Sequence, residues 1–301
     1  MKKIGISIGA LQARYGLERA LEICAESGFD AVDFNLKAYG RENYPVYADG
    51  EDAVLSYFSR IGEYARSLGL MISQTHGRTR IATQDETFCQ RMEWVSRMDL
   101  LATKALGAPV CVIHSVTTKA FPDATAERMH QRNLSFFNGL APYAEEYGVE
   151  FALETFGDAE ANGKRVIDFF GDSRELKKSF DAIDSGRKVI CVDTGHTNKA
   201  HAVGGRDGEA VPDVVQTIHL FGDSIKALHL NDNNGFTDQH LLPMYKMEGG
   251  VPWKAVYAAL DEIGYDGVYN FELSLANFGA GVEDYVRFLG AYLRRSVEGS
   301  L

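Results

Sequence analysis

The chain has 301 residues, is 45% hydrophobic and carries 42 acidic against 31 basic residues, for a formal net charge of -11. That is enough apolar material for a large buried core, and the acidity argues against a surface built to hold phosphate backbones, although a local basic patch could survive. The four cysteines, Cys24, Cys89, Cys111 and Cys191, form no CxxC pair, and a chain of this length needs no disulfide staples.

The elements alternate strand and helix from end to end. The opening MKKIGISIGALQARYG has only a brief apolar stretch, interrupted by Gln12 and Arg14. It is a poor signal peptide and too short for a bilayer span, so the expectation is a cytoplasmic protein without a membrane partner. Lys3 to Gly9 reads as the first strand. From Gly16, apolar residues at Leu17, Ala20, Leu21, Cys24 and Ala25 have helical spacing, and Gly28 stops that helix. Ala31 to Leu36 is the second strand, followed by a polar, aromatic loop over 37–50. Asp52 to Gly69 is a helix, Met71 to His76 the third strand, and a long helix runs from Thr87 to Gly107. Val110 to Ser115 is the fourth strand, followed by a helix from Thr125 to Gly148.

The fifth strand is VEFALET (149–155), and a polar insertion, GDAEANGKR, leads to a helix near 172–183. KVICVDTGH (188–196) is the sixth strand, and a Gly-rich loop, AVGGRDGEAV, opens a helix near 211–222. IKALHLND (225–232) is the seventh strand. A long loop over 233–251 precedes the helix PWKAVYAALDEIG, with Pro252 at an early helical position. GVYNFELS (267–274) is the eighth strand, and a last helix begins near Gly281. Eight such units, with no Pro- or Ser-rich linker, predict an α/β fold: a single (β/α)8 TIM barrel over 1–301 whose active face is the rim at the strand C-termini. Cys111 and Cys191 lie inside strands and read as small buried hydrophobes.

Polar residues collect on that rim. His76, His114, Glu154, Asp193, His229 and Glu272 stand at or near the ends of six consecutive strands. Three carboxylates and an imidazole, at Glu154, Asp193, His229 and Glu272, would suit a divalent, oxygen-preferring metal. His196 follows Asp193 by three residues, and Asp238 and His240 share the loop after the seventh strand. Singly, each has a bland explanation: a hydrogen-bonded structural His, an Asp capping a helix, a solvated loop pair. Together they read as one polar pocket. Arg78, Arg80, Lys119, Arg165 and Arg206 fall in rim-side loops and could bind a phosphate or a sugar hydroxyl; solvation alone would also account for them. The aromatic residues of the 37–50 and 233–251 loops could stack on a sugar ring or bury a subunit contact, so a homo-oligomer is left open. Trp94 and Trp253 read mainly as packing residues.

The segments FALE, VDTGH, HLND followed by DQH, GGVPW and FELS resemble the xylose-isomerase-like barrels. That superfamily holds sugar isomerases and epimerases, inosose dehydratases and endonuclease IV. The resemblance covers most of the chain and is strongest over 149–275. In the ketose 3-epimerase branch it implies one metal held by Glu154, Asp193, His229 and Glu272, with His196 touching substrate. Two departures stand out. That branch usually has an Arg after the seventh strand, where this chain has Asp238, Gln239 and His240, and its GxGxxPW turn appears here as Glu248 to Trp253. In the endonuclease branch nine ligands bind three metals, and matching residue types occur at His76, His114, Glu154, Asp193, His196, His229, Asp238, His240 and Glu272. The net charge argues against a nuclease and against a nucleic-acid partner.

The expectation is therefore a metal-dependent isomerase or epimerase acting on a small-molecule sugar, sugar phosphate or polyol. Its cofactor would be one divalent ion, Mn2+ first, with Mg2+, Co2+ or Zn2+ as alternatives. The metal would stabilise an enediolate while Glu154 and Glu272 move the proton. His196, His76, His114, Asp238, His240 and Arg78 are the candidate substrate contacts. A lyase or dehydratase, with His76, His114 or His240 as the acid, is the alternative. A multi-metal phosphodiesterase is the second.

Overall fold

Short apolar runs, most of them buried on both faces, make the strands of a parallel sheet. They are β1 (Lys3–Ser7), β2 (Ala31–Asn35), β3 (Met71–His76), β4 (Val110–Ile113), β5 (Glu150–Glu154), β8 (Lys188–Asp193), β9 (Ile225–His229) and β10 (Val268–Phe271), while the more polar β6 (Asp158–Ala161) and β7 (Lys164–Ile167) pair apart from them. This computed structural model describes residues 1–40, 45–205, 208–243 and 247–299. Eight strands pair in the order β10-β1-β2-β3-β4-β5-β8-β9. The ring closes between β9 and β10 through the bridge Leu230 to Phe271. There the Leu230 amide donates to the Asn270 carbonyl at 2.8 Å and the Glu272 amide to the Leu230 carbonyl at 3.1 Å. This closing seam carries His229 and Glu272 at its upper end.

Around the ring lie α1 (Gly9–Tyr15), α2 (Leu17–Glu26), α3 (Glu51–Ser67), α4 (Glu86–Leu106), α5 (Ala126–Tyr147), α6 (Ser173–Ala182), α7 (Thr194–Val203), α8 (Val214–Phe221), α9 (Trp253–Glu262) and α10 (Val282–Val297). Alternation along the strands splits the apolar residues into two sets. Cys111, Ile113, Phe151, Leu153, Ile190, Val192 and Leu228 join the main core between sheet and helices. Val110, Val112, Ala152, Val189, Cys191 and Ala227 form a separate cluster inside the barrel. The period of two then fixes the direction of the next inward residue on each strand. His114 follows Val112, Glu154 follows Ala152, Asp193 follows Cys191 and His229 follows Ala227.

Several sequence expectations are corrected. The first helix begins at Gly9 and breaks at Gly16, whose φ of 81° suits glycine. The 157–165 insertion is an antiparallel hairpin, β6–β7. Its turn is Asn162-Gly163, with φ of 52° and 71°, the positive pair that matches strand twist. The sixth strand ends at Asp193, and α7 begins at once because the Asp193 side chain accepts from the His196 amide at 2.7 Å. Trp94 is 38% exposed, whereas Trp253 is buried as expected. Arg206 lies outside the described residues. Cys111 and Cys191 are buried. No helix among the described residues is long and apolar enough to cross a membrane.

Candidate active site and metal centre

Each of these inward columns ends in an imidazole or carboxylate at the barrel mouth. Donor atoms of Glu154, Asp193, His229 and Glu272 all lie within 4.8 Å of one another. The Nδ1 atom of His229 is 3.0 Å from Glu154 Oε1 and 3.5 Å from Glu272 Oε2. Asn231, not anticipated from the sequence, donates to both Asp193 oxygens at 3.2 and 3.1 Å. Gly195 permits this, because a Cβ there would collide with the Asn231 side chain. Beside this set, His114 Nε2 is 2.9 Å from Glu154 Oε2, and His76 Nε2 lies 3.1 Å from His114 Nε2.

The donor set fits a divalent cation. An ion with bonds of about 2.0–2.4 Å needs its ligand atoms within roughly 4–5 Å of one another. Buried polar atoms without a well-aligned hydrogen bond crowd the same place: Glu154 Oε2, His76 Nδ1, His229 Nε2 and both oxygens of Asp33. Such atoms are unfavourable unless something charged or polar meets them. Burial disfavours the charged form of Glu154, yet the His114 and His229 rings more than offset this and hold it well below the usual carboxylate range. Burial likewise opposes ionisation of Glu272, and His229 and His240 bring its pKa below the ordinary value. For Asp193 burial wins and the pKa rises. Burial also opposes a charged His229, but Cys191, Glu154, Glu272 and Asp33 raise it well above its ordinary value.

An outer group stands above these. His196 Nδ1 is 3.4 Å from Glu154 Oε1, and its Nε2 is 3.5 Å from Asp238 Oδ2. His240 Nε2 is 3.3 Å from the same Asp238 oxygen, and its Nδ1 is 3.0 Å from the Glu272 carbonyl. Burial works against the His240 cation, but Asp238, Glu272 and Asp193 lift its pKa to about 9. The His240 backbone has a φ of 49°, uncommon for a residue with a Cβ. It is held there by the surrounding loop: the Ser274 amide donates to the His240 carbonyl, and Asp232 and Leu241 exchange two bonds, all at 2.8 Å. Trp253 Nε1 pins Asp232 at 2.7 Å, so this tryptophan fixes the rim loop as well as packing.

Lys199 on α7 was not anticipated. It is 9% exposed and sits 3.0 Å from Asp158 of the hairpin and 3.8 Å from Asp238. Arg165 pairs with Asp158 at 2.6 Å and lies over the Phe236 ring at 4.5 Å. The hairpin is thus tied to the loop after β9, forming a wall beside the pocket. Asp33 was also missed. It is an inward residue of β2, 3.2 Å from His229 Nε2. Its sequence signal was an acid within the apolar run AVDFN.

Arg78 is placed differently from the sequence expectation. It is 7% exposed and binds Asp99 of α4 through Nε at 2.8 Å and Nη2 at 2.9 Å. It also donates to the carbonyls of Leu36 and Lys37. These bonds make it a buried tie between the loops after β2 and β3. Tyr47 joins it, donating to Asp99 Oδ1 at 2.6 Å. Arg78→Ala strands the Asp99 carboxylate in the core and is expected to destabilise the fold by about 3–5 kcal/mol. Denaturant unfolding measures this, and a loss under about 1 kcal/mol would contradict it. Arg80 and Lys119 are exposed, as their solvated reading requires.

A family model described as the xylose isomerase-like TIM barrel matches residues 21–292. Protein y4fM of Sinorhizobium fredii is 24% identical over 300 residues, covering 90% of this chain and 85% of its own length. Among solved structures, a D-tagatose 3-epimerase-like protein superimposes with a TM-score of 0.73 at 20% identity, over 99% of this chain and 98% of its own. The IOLI protein, solved with a binding zinc atom, gives a TM-score of 0.74 at 17% identity, over 99% of each chain. At these identities the structural likenesses establish the barrel fold. The family match runs through all of the described strands from β2 to β10, and the chain belongs to the xylose isomerase-like TIM barrel family.

Proposed function

We propose that residues 1–301 form one catalytic domain, a divalent-metal-dependent isomerase or epimerase acting on a sugar, sugar phosphate or polyol. One observation carries this reading. Glu154 and Glu272 leave strands separated by β8 and β9, yet both carboxylates converge on His229 Nδ1. Glu154, Asp193, His229 and Glu272 would hold the ion, which would supply Lewis acidity toward a carbonyl oxygen. The chain's own residues do the rest. Both glutamates are kept ionised by neighbouring imidazoles, as an acceptor of a C–H proton must be. One takes the proton next to the carbonyl and the other returns it, to the opposite face for epimerisation or to the adjacent carbon for isomerisation. His196 is oriented by Asp193 and Asp238 and reaches a substrate hydroxyl. The name of the D-tagatose 3-epimerase-like protein supports this class. The test is turnover of a panel of ketoses and their phosphates in D2O with Mn2+. Deuterium should appear at the reacting carbon, and product free of it at all times would favour hydride transfer instead.

A second reading has its own observation. Three groups, His76–His114–Glu154, Glu154–Asp193–His229–Glu272 and His196–Asp238–His240, each have donor atoms within 4.8 Å. Two or three adjacent metals serve phosphodiester hydrolysis. Against it stands the net charge of -11, since Lys and Arg contacts dominate binding to nucleic acid. The expected result is no incision of an abasic duplex at stoichiometric protein. Incision that disappears in His76→Ala and His240→Ala would reverse the order of the two readings. Anomalous scattering separates them as well: one Mn-like ion fits the first, a cluster of zinc ions the second.

A further inference from the structure

Asp33 takes no part in the scheme above, yet it is 1% exposed and neither of its oxygens makes a well-aligned hydrogen bond. It points into the barrel from β2, since Val32 and Phe34 on either side belong to the outer core. Its Oδ2 faces His229 Nε2 at 3.2 Å. The opposite ring nitrogen, Nδ1, faces Glu154 and Glu272. The His76 ring stacks on the same imidazole, with centroids 4.9 Å apart and planes at 16°, so the ring is confined in its plane as well as at both ends.

A buried carboxylate needs a donor, and the nitrogen that faces Asp33 Oδ2 is His229 Nε2. A proton on Nε2 leaves the Nδ1 lone pair directed at the carboxylate mouth. We infer that Asp33 is a positioning residue. It selects the Nε2–H tautomer of His229 and holds the ring so that Nδ1 is the nitrogen offered to a metal. This rests on the metal reading of the site and adds to it the group that orients the single imidazole ligand. Carboxylates that accept from a ligating histidine typically change metal affinity by about 10–100-fold when removed. The competing role is direct ligation, because Asp33, His76 and His229 also offer atoms within 4.8 Å of one another.

The test uses the full chain with Zn2+ as a diamagnetic probe. Asp33→Ala is expected to weaken Zn2+ binding by about 10–100-fold at unchanged stoichiometry. Asp33→Asn, which keeps an acceptor oxygen and nearly the same shape, should lose less. Long-range nitrogen-15 spectra of the zinc-loaded imidazoles should show His229 metal-bound at Nδ1 and its Nε2–H resonance displaced in Asp33→Asn at unchanged Zn2+ stoichiometry, a change that a purely structural role would not produce. Metal bound through Nε2, affinities within about twofold of wild type in both variants, or loss of one whole zinc equivalent from Asp33→Ala would each overturn the inference. The comparison of wild type with Asp33→Asn decides the matter even if Asp33→Ala does not fold. Wild-type protein that takes up no Zn2+ would sink the metal reading separately. The tautomer of neutral His229 in the metal-free protein, read at a pH above its raised pKa, then tests Asp33 on its own, with Nε2–H upholding the inference and Nδ1–H overturning it.

Discussion

Glu154→Gln and Glu272→Gln are each expected to lower turnover by on the order of 10²–10⁴. Glutamine keeps the shape of either side chain but carries no charge and accepts no proton. Glu154 is fully buried, and its Oε1 and Oε2 face His229 and His114, so an amide there also places an N–H against an imidazole. The two variants should differ in an informative way. Removing the group that returns the proton leaves the other able to exchange the substrate C–H with solvent. One variant should therefore wash deuterium into unreacted substrate while forming little product, and the other should do neither. Nuclear magnetic resonance of the substrate in D2O reads this directly. Turnover within about threefold of wild type in both variants would show that neither carboxylate is the base.

Chelation followed by His229→Ala has the next largest expected effect. Stripping divalent ions should abolish turnover in the wild-type protein, and Mn2+ should restore it. His229→Ala should bind Mn2+ more than ~100-fold more weakly, beyond what loss of an outer partner costs, and should not recover at the same concentration. The pH dependence has a definite sign. In the metal-free protein burial disfavours a charged His229, but Cys191 and the neighbouring carboxylates raise its pKa well above the ordinary value. A raised pKa extends the range over which the ring holds a second proton, and ligation through Nδ1 requires that proton to leave. Mn2+ uptake should release protons, and affinity should rise with pH until the raised pKa is passed. Affinity independent of pH, by calorimetry in buffers of different ionisation enthalpy, would remove His229 from the ligand set.

The legible part of the protein is the part governed by short-range rules. Alternation along Val110, Val112 and His114, or Ala152 and Glu154, is set by the pleat of a strand. A polar residue one step beyond an apolar inward pair must then emerge at the mouth. That is why the barrel and the converging residues from β3 to β10 could be read from spacing. Local chemistry also marked two features visible in the sequence. Asp193 before Thr194 is the helix cap offered there as an explanation of that residue, whereas the Asn162-Gly163 hairpin turn was passed over.

Tertiary structure alone decided the rest, because those residues are defined by partners that barrel closure brings from distant strands. Asp33 in AVDFN looks like any strand acid until β2 and β9 face each other across the lumen and put it 3.2 Å from His229. Arg78 stands two residues from His76 and so looked like a pocket residue, but its guanidinium turns to Asp99 on α4. Lys199 acquires meaning only when the hairpin after β5 and the loop after β9 meet above α7. Periodicity along one chain segment specifies which way a side chain points. Which charged group it meets there depends on the relative positions of segments far apart in sequence, and no local pattern encodes that distance.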